Sequence, residues 1–465
     1  MATEAIWPAG RLAEAIRTRE LSSRELLEAY LDRIGRLDGE INAVVTLDVE
    51  RARAAAAAAD EATARGELLG PLHGLPITVK DAIETGGIRS TGGAVELADH
   101  VPVHDAPAVA RLKQAGAIVF GKTNLPRWSA DVQTYNELFG TTRNPWHLDR
   151  VPGGSSGGPA AAVACGFTSF ELGTDIAGSI RIPAHCCGVF GLKPSYGVIP
   201  QRGYLDHVGG GTIDVDINVF GPLARSAADL ALLLDVLAGA DPQRSTAWRI
   251  ELPAPHGSTL SDFRIGLWLE DPTLLLERDY ADLLQATAGG LSTAGARIEE
   301  VHPDVELAAQ LELFTAQYWA AASPRLPDDI AEQVAGSHRQ WLLREQQRAH
   351  YRERWAAWFA NYDILLCPVM PTTAFPHNHE GTLHSRTLTV NGQQRPYLDS
   401  IAWTGLVGIV DLPSVVVPIG YTPAGLPGGM QVVAPFLRDR SAIQIAGLIA
   451  ELTGGYQSPE GFGVN

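Results

Sequence analysis

The sequence predicts an α/β protein, a single large domain over residues 1–465 in which a mixed, twisted central β-sheet is covered on both faces by α-helices. Two observations lead to this prediction. Short apolar runs typical of buried strands alternate along the chain with amphipathic stretches of helical period. No linker, internal repeat or low-complexity tail interrupts the chain, and its 45% of hydrophobic and 19% of charged residues suit one large core.

The N-terminal part, residues 1–66, is predicted to be helical. Apolar residues recur at helical spacing over 9–37, and Ser22 followed by Glu25 predicts a capping box at the start of a second helix. The alanine-rich stretch 48–65 predicts a further helix. These helices precede the motifs that carry the chemistry.

The central part, residues 70–240, is predicted to begin the sheet. The apolar segments LPITVK at 75–80 and AGAIVFGKTN at 115–124 predict strands that run into loops. A glycine loop then opens onto an alanine-rich helix, where Pro159 suits the first turn because its missing N–H costs nothing there. A further helix is predicted at 225–239.

The C-terminal part, residues 241–465, is predicted to complete the sheet and to shape a pocket. Strand-like and helical segments alternate through it. The long irregular segments 200–216 and 376–400 are the ones most able to cover a site. The predicted strands are FRIGLWL, DILLCPVM and PSVVVPIG, and the predicted helices are 278–294, 339–361 and 440–453.

Charge and cysteine usage argue against several kinds of protein. The net charge of −17 disfavours nucleic acid or an anionic membrane as a main partner, because both require basic surface. The four cysteines show no CxxC spacing, so free thiols are expected and neither a metal nor a cofactor is predicted. The start of the chain lacks the apolar segment of a signal peptide, and a cytoplasmic location is expected.

Three short features could carry chemistry. Lys80 stands at the end of an apolar strand, where a lysine is usually a surface residue. The glycine cluster at 153–158 surrounds two serines, and such clusters usually allow a tight turn. The segment 173–181 (GTDIAGSIR) ends a strand in small residues, and its consecutive N–H groups could face an anion. None of the three decides a function by itself.

Two familiar motifs do not fit the glycine cluster. The spacing of Gly153, Ser155 and Gly157 matches a nucleophile elbow, but that turn needs a strand before it, and here NPWHLDRVP precedes it. The cluster is not a phosphate-binding P-loop either, because no Gly-Lys-Ser or Gly-Lys-Thr follows.

The three features in this order resemble the amidase-signature family of serine hydrolases. The resemblance rests on GLPITVKD, then PGGSSGGPAAAVA, then GTDIAGSIRIPAHCCGVFGLKPSYG. Other segments resemble the family too, including LSSRELLEAYLDRI near the start and GLPGGMQVVAPFLRDRSAIQIAGLIAEL near the end. The resemblance therefore spans nearly the whole chain, and it implies the amidase-signature fold.

The resemblance implies a Ser–cisSer–Lys triad of Lys80, Ser155 and Ser179. Neutral Lys80 would draw a proton through Ser155 from Ser179, which would attack the substrate carbonyl and form an acyl-enzyme. A lysine can be this base only when neutral, so burial must lower its pKa. The peptide bond between Gly154 and Ser155 is expected to be cis.

The resemblance also implies an oxyanion hole made by backbone N–H groups of Ile176, Ala177 and Gly178, together with Ser179. The family commonly has glycine where Ala177 stands. The N–H donor is kept there, and the methyl group is expected to narrow the cleft.

Further residues are expected to support the site or to line it. Ser156 is expected to support the relay by hydrogen bonding, and Asp175 and Arg181 to brace the turn, as a buried pair. Family resemblance along GKTNLPRWSA makes Ser129 and Ala130 candidate lining residues of the substrate pocket.

The implied function is hydrolysis of carbon–nitrogen bonds in neutral aliphatic or aryl amides and anilides, with esters and carbamates sharing the chemistry. The expected partner is a small-molecule amide, without nucleic acid or membrane, and a homodimer is left open. One alternative is the glutaminase subunit of a tRNA-dependent amidotransferase, disfavoured because INVFGPLARS at 217–226 departs from the Ser-Leu-Asp-Gln usual in that subunit. The other is a catalytically silent binding protein on the same fold, disfavoured by retention of the whole triad.

Overall fold

The computed structural model describes residues 4–463. Its α-helices are α1 (Ala9–Arg17), α2 (Ser23–Ile41), α3 (Val49–Arg65), α4 (Pro107–Gln114), α5 (Gly157–Ala164), α6 (Arg181–Cys187), α7 (Ala227–Leu237), α8 (Arg278–Thr293), α9 (Leu307–Ala322), α10 (Asp328–Ala335), α11 (His338–Phe359), α12 (Ala402–Gly408) and α13 (Asp439–Thr453). Its strands are β1 (Val44–Leu47), β2 (Pro76–Lys80), β3 (Ile118–Thr123), β4 (Tyr135–Asn136), β5 (Gly140–Thr141), β6 (Glu171–Asp175), β7 (Phe190–Lys193), β8 (Val219–Ala224), β9 (Arg264–Leu267), β10 (Arg297–Glu299), β11 (Ile364–Pro368), β12 (Thr387–Val390), β13 (Gln393–Pro396), β14 (Ser414–Tyr421) and β15 (Pro427–Val433).

An eight-stranded mixed sheet forms the centre of the molecule, in the order β10-β9-β11-β15-β14-β7-β8-β6. The pairs β10–β9 and β9–β11 are parallel, and the remaining neighbours are antiparallel. Helix α6 packs on β14 and β15, and α13 packs on β14, so helices flank the sheet. The predicted mixed sheet flanked by helices is confirmed.

A smaller three-stranded sheet, in the order β1-β3-β2, lies beside the large one and carries Lys80. Strand β2 pairs in parallel with β3 and packs against β6, the edge strand of the large sheet. All five residues of β2 and all five of β6 are buried. This contact brings the end of β2, which carries Lys80, next to β6, the strand that leads to Ser179.

The N-terminal helices form as their capping signals predict. The Ser22 side chain accepts a hydrogen bond from the Glu25 N–H, and the Glu25 carboxylate accepts one from the Ser22 N–H. The left-handed Asn42 ends α2 (φ 59°), which lets the chain turn into β1.

The segment 376–400 differs from its prediction as an irregular loop. It contains the antiparallel hairpin β12–β13 and continues directly into α12. Helices α9 and α10, which the sequence pattern did not predict, come earlier in the chain. Within residues 4–463, no helix is long and apolar enough to cross a membrane.

Candidate active site

Lys80 ends β2 with its side chain fully buried. Its Nζ lies 2.6 Å from the Ser155 Oγ and 2.8 Å from the Thr174 Oγ1, within hydrogen-bond distance of both. Desolvation lowers the pKa of Lys80 well below its ordinary value, although the negative charges of Asp175 and Glu171 oppose the shift. Burial therefore favours the neutral form of Lys80, which is the state a general base needs.

The glycine loop places Ser155 against Lys80. The Gly154–Ser155 peptide bond is cis, as the resemblance implies. A Cβ on Gly154 would lie 2.6 Å from the Val132 carbonyl carbon, so only glycine permits the loop to approach that backbone. Ser156 ties the loop down: its N–H donates to the Ser179 carbonyl at 3.0 Å, and its hydroxyl donates to the Thr174 carbonyl at 3.3 Å.

Ser179 lies in the turn between β6 and α6, and its side chain is nearly buried. Among the described residues its hydroxyl has no hydrogen-bond partner, so the link from Ser155 to Ser179 is not formed here. Catalytic hydrogen bonds are often long in the absence of substrate and shorten when it binds. Of the two hydrogen bonds of the expected relay, the structure thus contains the one between Lys80 and Ser155, and the described residues do not form the one between Ser155 and Ser179.

A buried ion pair of Asp175 and Arg181 lies in the turn after β6. Asp175 and Arg181 are both fully buried, and the guanidinium donates to both carboxylate oxygens, at 2.8 and 3.0 Å. Burial alone would raise the pKa of Asp175, but the charge and hydrogen bonds of Arg181 outweigh it and hold the pKa at about 2. Arg181 also donates to the Thr404 carbonyl and to Gln431, which joins the turn to α12 and β15.

Three backbone N–H groups of the turn are free to bind an anion. Those of Ile176, Ala177 and Ser179 have no acceptor among the described residues. The prediction for Gly178 needs correction, because its N–H donates to the Asp175 carboxylate at 2.8 Å. Gly178 is needed for another reason: its φ is +111°, and a Cβ would lie 2.6 Å from the Thr404 hydroxyl.

Ala177 replaces a common glycine of the family without backbone strain. It does not have a positive φ, so an L-residue is accommodated. Its carbonyl accepts a hydrogen bond from the Thr404 hydroxyl at 2.8 Å. Ala177 lines the pocket beside Ser179.

The predicted lining residues Ser129 and Ala130 share a small inner pocket with Ser179, of about 20 Å³. Both Trp128 and Ser129 have left-handed backbone angles (φ 54° and 56°), which are uncommon for residues other than glycine. The rest of the wall is mostly apolar. It includes Val132, Ile176, Ala177, Leu383, Leu398 and Ile401.

A larger cavity of about 970 Å³ adjoins the inner pocket, and we call it the outer cavity. The two share Ala130, Asp131, Tyr318 and Leu383. The other residues that matter below line only the outer cavity: Arg127, Trp128, Tyr135, Glu137, Trp319, Arg325, His384 and Arg386.

An ion pair holds the cover segment 376–400 over the pocket. The Arg386 guanidinium donates to Asp131 and to the Tyr135 hydroxyl, and its side chain is almost fully buried. The hydroxyl of Tyr397 donates to the other Asp131 oxygen at 2.6 Å. Because Asp131 lies in the pocket wall, this cluster fixes the wall and its cover together.

Several residues of the site were not predicted from the sequence. Thr174 was missed although it lies in the GTDIAGSIR motif, where strand alternation puts it on the opposite face from Asp175. Thr404, Asp131 and Arg386 come from distant parts of the chain, and no local pattern marks them. His185, by contrast, is structural: its ring contacts the Thr372 carbonyl and the Gly429 N–H, and burial lowers its pKa to about 4.

The sequence profile of the amidase family matches residues 25–334 and 329–443, which is most of the chain. The chain belongs to the amidase family. It is therefore an enzyme of the amide carbon–nitrogen hydrolase type, with the amidase-signature fold.

Curated relatives of this amidase cover almost the whole chain. A glutamyl-tRNA(Gln) amidotransferase subunit from Roseiflexus sp. (strain RS-1) is 33% identical, over 95% of each chain. The subunit of the same name from Moorella thermoacetica (strain ATCC 39073 / JCM 9320) is 34% identical, over 94% of this chain and 95% of its own.

Solved structures of similar amidases extend over the same length. A chain of an inhibitor-bound vestigial protein complex that reveals the origins of an s-triazine catabolic enzyme has a TM-score of 0.84, with 30% identity, over 97% of this chain and 100% of its own. A bacterial aryl acylamidase of the amidase-signature family has a TM-score of 0.83, with 26% identity, over 96% of each chain.

The relatives contradict the prediction of a small-molecule enzyme without a nucleic-acid partner. They are named as subunits of a glutamyl-tRNA(Gln) amidotransferase, and similarity over almost the whole chain to such subunits overturns that prediction. The net charge of −17 gave the wrong indication. The charge of one chain does not reveal the basic surface that another chain contributes to an assembly.

Proposed function

We propose that this amidase cleaves a carboxamide through an acyl-enzyme on Ser179, with Ser155 as proton carrier and Lys80 as base. The observation that carries the proposal is the 2.6 Å contact between the buried Lys80 Nζ and the Ser155 Oγ. Any buried amine needs hydrogen-bond partners, and Lys122 also contacts a serine hydroxyl. Lys80 differs in that its serine lies in the glycine loop, where the next residue, Ser156, donates its N–H to the Ser179 carbonyl. A base that acts through Ser155 on Ser179 needs this arrangement.

Acylation begins when Ser179 loses its proton to Ser155, while Ser155 passes its own proton to neutral Lys80. The Ser179 oxygen attacks the carbonyl carbon, and the carbonyl oxygen becomes an oxyanion beside the N–H groups of Ile176, Ala177 and Ser179. When the tetrahedral intermediate collapses, the carbon–nitrogen bond breaks and the proton returns through Ser155 to the leaving nitrogen. Water then repeats the sequence on the acyl-enzyme and releases the acid.

The first candidate substrate is the side-chain carboxamide of glutamine, with ammonia as the leaving group. Supporting it are the relatives named as amidotransferase subunits, which match this chain over almost its whole length. In this proposal the chain works with a second protein or with tRNA. Residues 217–226, which depart from the Ser-Leu-Asp-Gln pattern, comprise β8 and the residues that flank it, and β8 pairs with β6, the strand that leads to Ser179.

The second candidate is a neutral aliphatic or aryl amide, with esters and carbamates as further substrates. It is favoured by the apolar wall of the inner pocket and by similarity to the aryl acylamidase. An apolar wall binds an uncharged acyl group without the cost of burying an unpaired charge.

Release of the leaving group from a panel of substrates tests both candidates: ammonia or an amine from the amides, and a phenol from the aryl ester and the aryl carbamate. The panel contains glutamine, an aliphatic amide, an anilide, an aryl ester and an aryl carbamate, and Ser179→Ala and Lys80→Ala are run beside the wild type. Turnover of glutamine alone supports the first candidate, and turnover of neutral amides or anilides supports the second. Full activity in Ser179→Ala overturns the mechanism for both.

A second protein or tRNA is tested by purifying the chain from its native cells under mild conditions. Co-elution of a stoichiometric protein or of tRNA, with a rise in glutaminase activity over the isolated chain, is the expected result for the first candidate. An isolated chain of undiminished activity and no co-eluting molecule contradicts it.

A further inference from the structure

The outer cavity has the size of a binding site for a substantial ligand. Its volume of about 970 Å³ lies at the upper end of the range that small-molecule sites occupy. It shares Tyr318 and Leu383 with the inner pocket, so the part of a substrate that does not fit the inner pocket of about 20 Å³ would extend into it. The walls of this cavity therefore contact whatever part of the substrate lies away from the reacting bond.

One side of the outer cavity is aromatic. Trp319 stacks on His384 with ring centroids 5.2 Å apart, and Tyr318 lies at its edge with centroids 5.1 Å from Trp319. Trp128 lines the same cavity. Such faces bind a flat or apolar group through contact area and stacking.

The arginines of the cavity differ in their partners. Arg386 is paired with Asp131, and Arg127 is paired with Glu96. Arg325 has no carboxylate within 4.0 Å among residues 4–463; its guanidinium donates only to the Trp128 carbonyl, at 3.0 Å, and to the Tyr318 hydroxyl, at 3.3 Å. Glu137 also lines the cavity, but it is exposed at the rim and does not pair with Arg325.

Arg325 consequently has donors to spare at the wall of the cavity. A guanidinium carries five N–H donors, and protein atoms accept from two of its nitrogens here. It is only partly exposed and is fixed against Tyr318.

We propose that Arg325 binds a carboxylate on the part of the substrate that reaches the outer cavity, while Trp128, Tyr318 and Trp319 contact its apolar portion. The substrate class is thus a carboxylate-bearing amide, such as an amino-acid carboxamide or an acylated aminobenzoate. This inference rests on the proposed function, and it adds a specificity residue that no sequence motif marks.

Binding to a Ser179→Ala protein tests the inference without turnover. Calorimetry compares two matched pairs of probes: 4-acetamidobenzoate with 4-acetamidobenzamide, and glutamine with its α-methyl ester. We expect at least one carboxylate to bind about tenfold to a hundredfold more tightly than its neutral counterpart, the range of a charge-assisted hydrogen bond. The pair that shows the preference identifies the kind of acid.

Substitutions in the same background assign the preference to one residue. Arg325→Gln is expected to remove it while the neutral probe binds as before, and Arg325→Lys to retain part of it. Arg127→Gln is the matched control, since that arginine lines the cavity with Glu96 as its partner, and it should leave the preference intact. Equal binding of charged and neutral probes, absence of binding, or an equal loss in Arg127→Gln overturns the inference.

The binding experiment tests the role of Arg325, and the turnover experiments test the mechanism, so either claim can be wrong while the other holds. If wild-type protein hydrolyses no amide but Arg325 still selects carboxylates, the mechanism fails and the binding site stands. If hydrolysis depends on Ser179 but neither carboxylate is preferred, the mechanism stands and the role of Arg325 is wrong.

Discussion

The catalytic centre and the outer cavity lie side by side but are built differently. The centre comes mainly from β2, the glycine loop and the turn after β6, and its charged groups are buried and paired within the protein. The outer cavity is assembled from several distant segments, and it is partly open and contains an arginine without an acidic partner. The contrast indicates that the chemistry resides in the closed part and substrate choice in the open part.

Two buried lysines give the sharpest test of that contrast. Lys80→Met should lower kcat by about 10²–10⁴-fold, the usual contribution of a general base, with little change in thermal stability. Lys122 lies on the neighbouring strand β3 and donates to the Ile83 carbonyl, Thr85 and Ser90. Lys122→Met should instead lower the melting temperature, because it leaves Asp81 buried without its nearby cation.

The outcome is read from kcat and from thermal unfolding of both variants. If Lys122→Met lowers kcat as strongly as Lys80→Met at a temperature where both are folded, the base is not confined to Lys80.

The pH dependence of kcat/KM is the next largest effect. In the proposed mechanism the neutral form of Lys80 is the active one, and burial lowers its pKa. Activity should therefore rise about tenfold per pH unit below that pKa and level off above it, at a pH well below the ordinary lysine value of 10.5. A rate that is highest in acid and falls on the alkaline side would contradict a lysine base.

The buried brace should matter for stability. Asp175→Asn leaves the buried Arg181 without its counter-charge, and we expect a loss of about 3–5 kcal/mol in the free energy of unfolding. Arg36→Ala, in the exposed pair with Asp32, is the matched control and should change stability little. Urea unfolding of both variants makes the comparison, and similar losses would show that burial does not decide the value of the pair.

The stability contribution of the Asp175–Arg181 pair is expected to be lost over a defined range of acid pH. The folded pKa of Asp175 is about 2, below the ordinary 3.8, so its contribution is complete above about pH 4 and is lost as the pH falls towards 2. A stability difference between wild type and Asp175→Asn that persists unchanged at pH 2 would contradict this assignment.

The smallest effect on activity is expected from a substitution in the outer cavity. Trp319→Ala removes one aromatic face of the outer cavity, and it should raise KM several-fold while kcat stays within about twofold. Steady-state kinetics with an anilide and with glutamine check it. A fall in kcat without a change in KM would show that Trp319 acts on the chemical step, and it would contradict the assignment of substrate binding to the outer cavity.

The same contrast explains what the sequence could predict. Lys80, Ser155 and Ser179 lie in short contiguous motifs, each tied to the chain geometry of a strand end or a glycine turn, so resemblance located them. The helix boundaries near Ser22 and the strand ending at Lys80 follow from local capping and apolar pattern. Local sequence patterns were sufficient to predict these helix and strand boundaries.

The remaining features depend on tertiary packing. Arg386 reaches Asp131 across 255 positions of sequence, and Arg181 reaches the carbonyl of Thr404 across 223. No local pattern encodes such contacts. The use of the Gly178 N–H by Asp175 was likewise invisible, because it depends on how the buried carboxylate is oriented by Arg181.

Covalent labelling of Ser179 tests the central claim most directly. The protein is treated with an aryl carbamate, its intact mass is measured, and the modified peptide is sequenced. We expect one adduct, on Ser179, formed more slowly in Lys80→Met and absent in Ser179→Ala. An adduct on Ser155 or Ser156, or hydrolysis of an amide by a Ser179→Ala protein, would contradict the proposed mechanism.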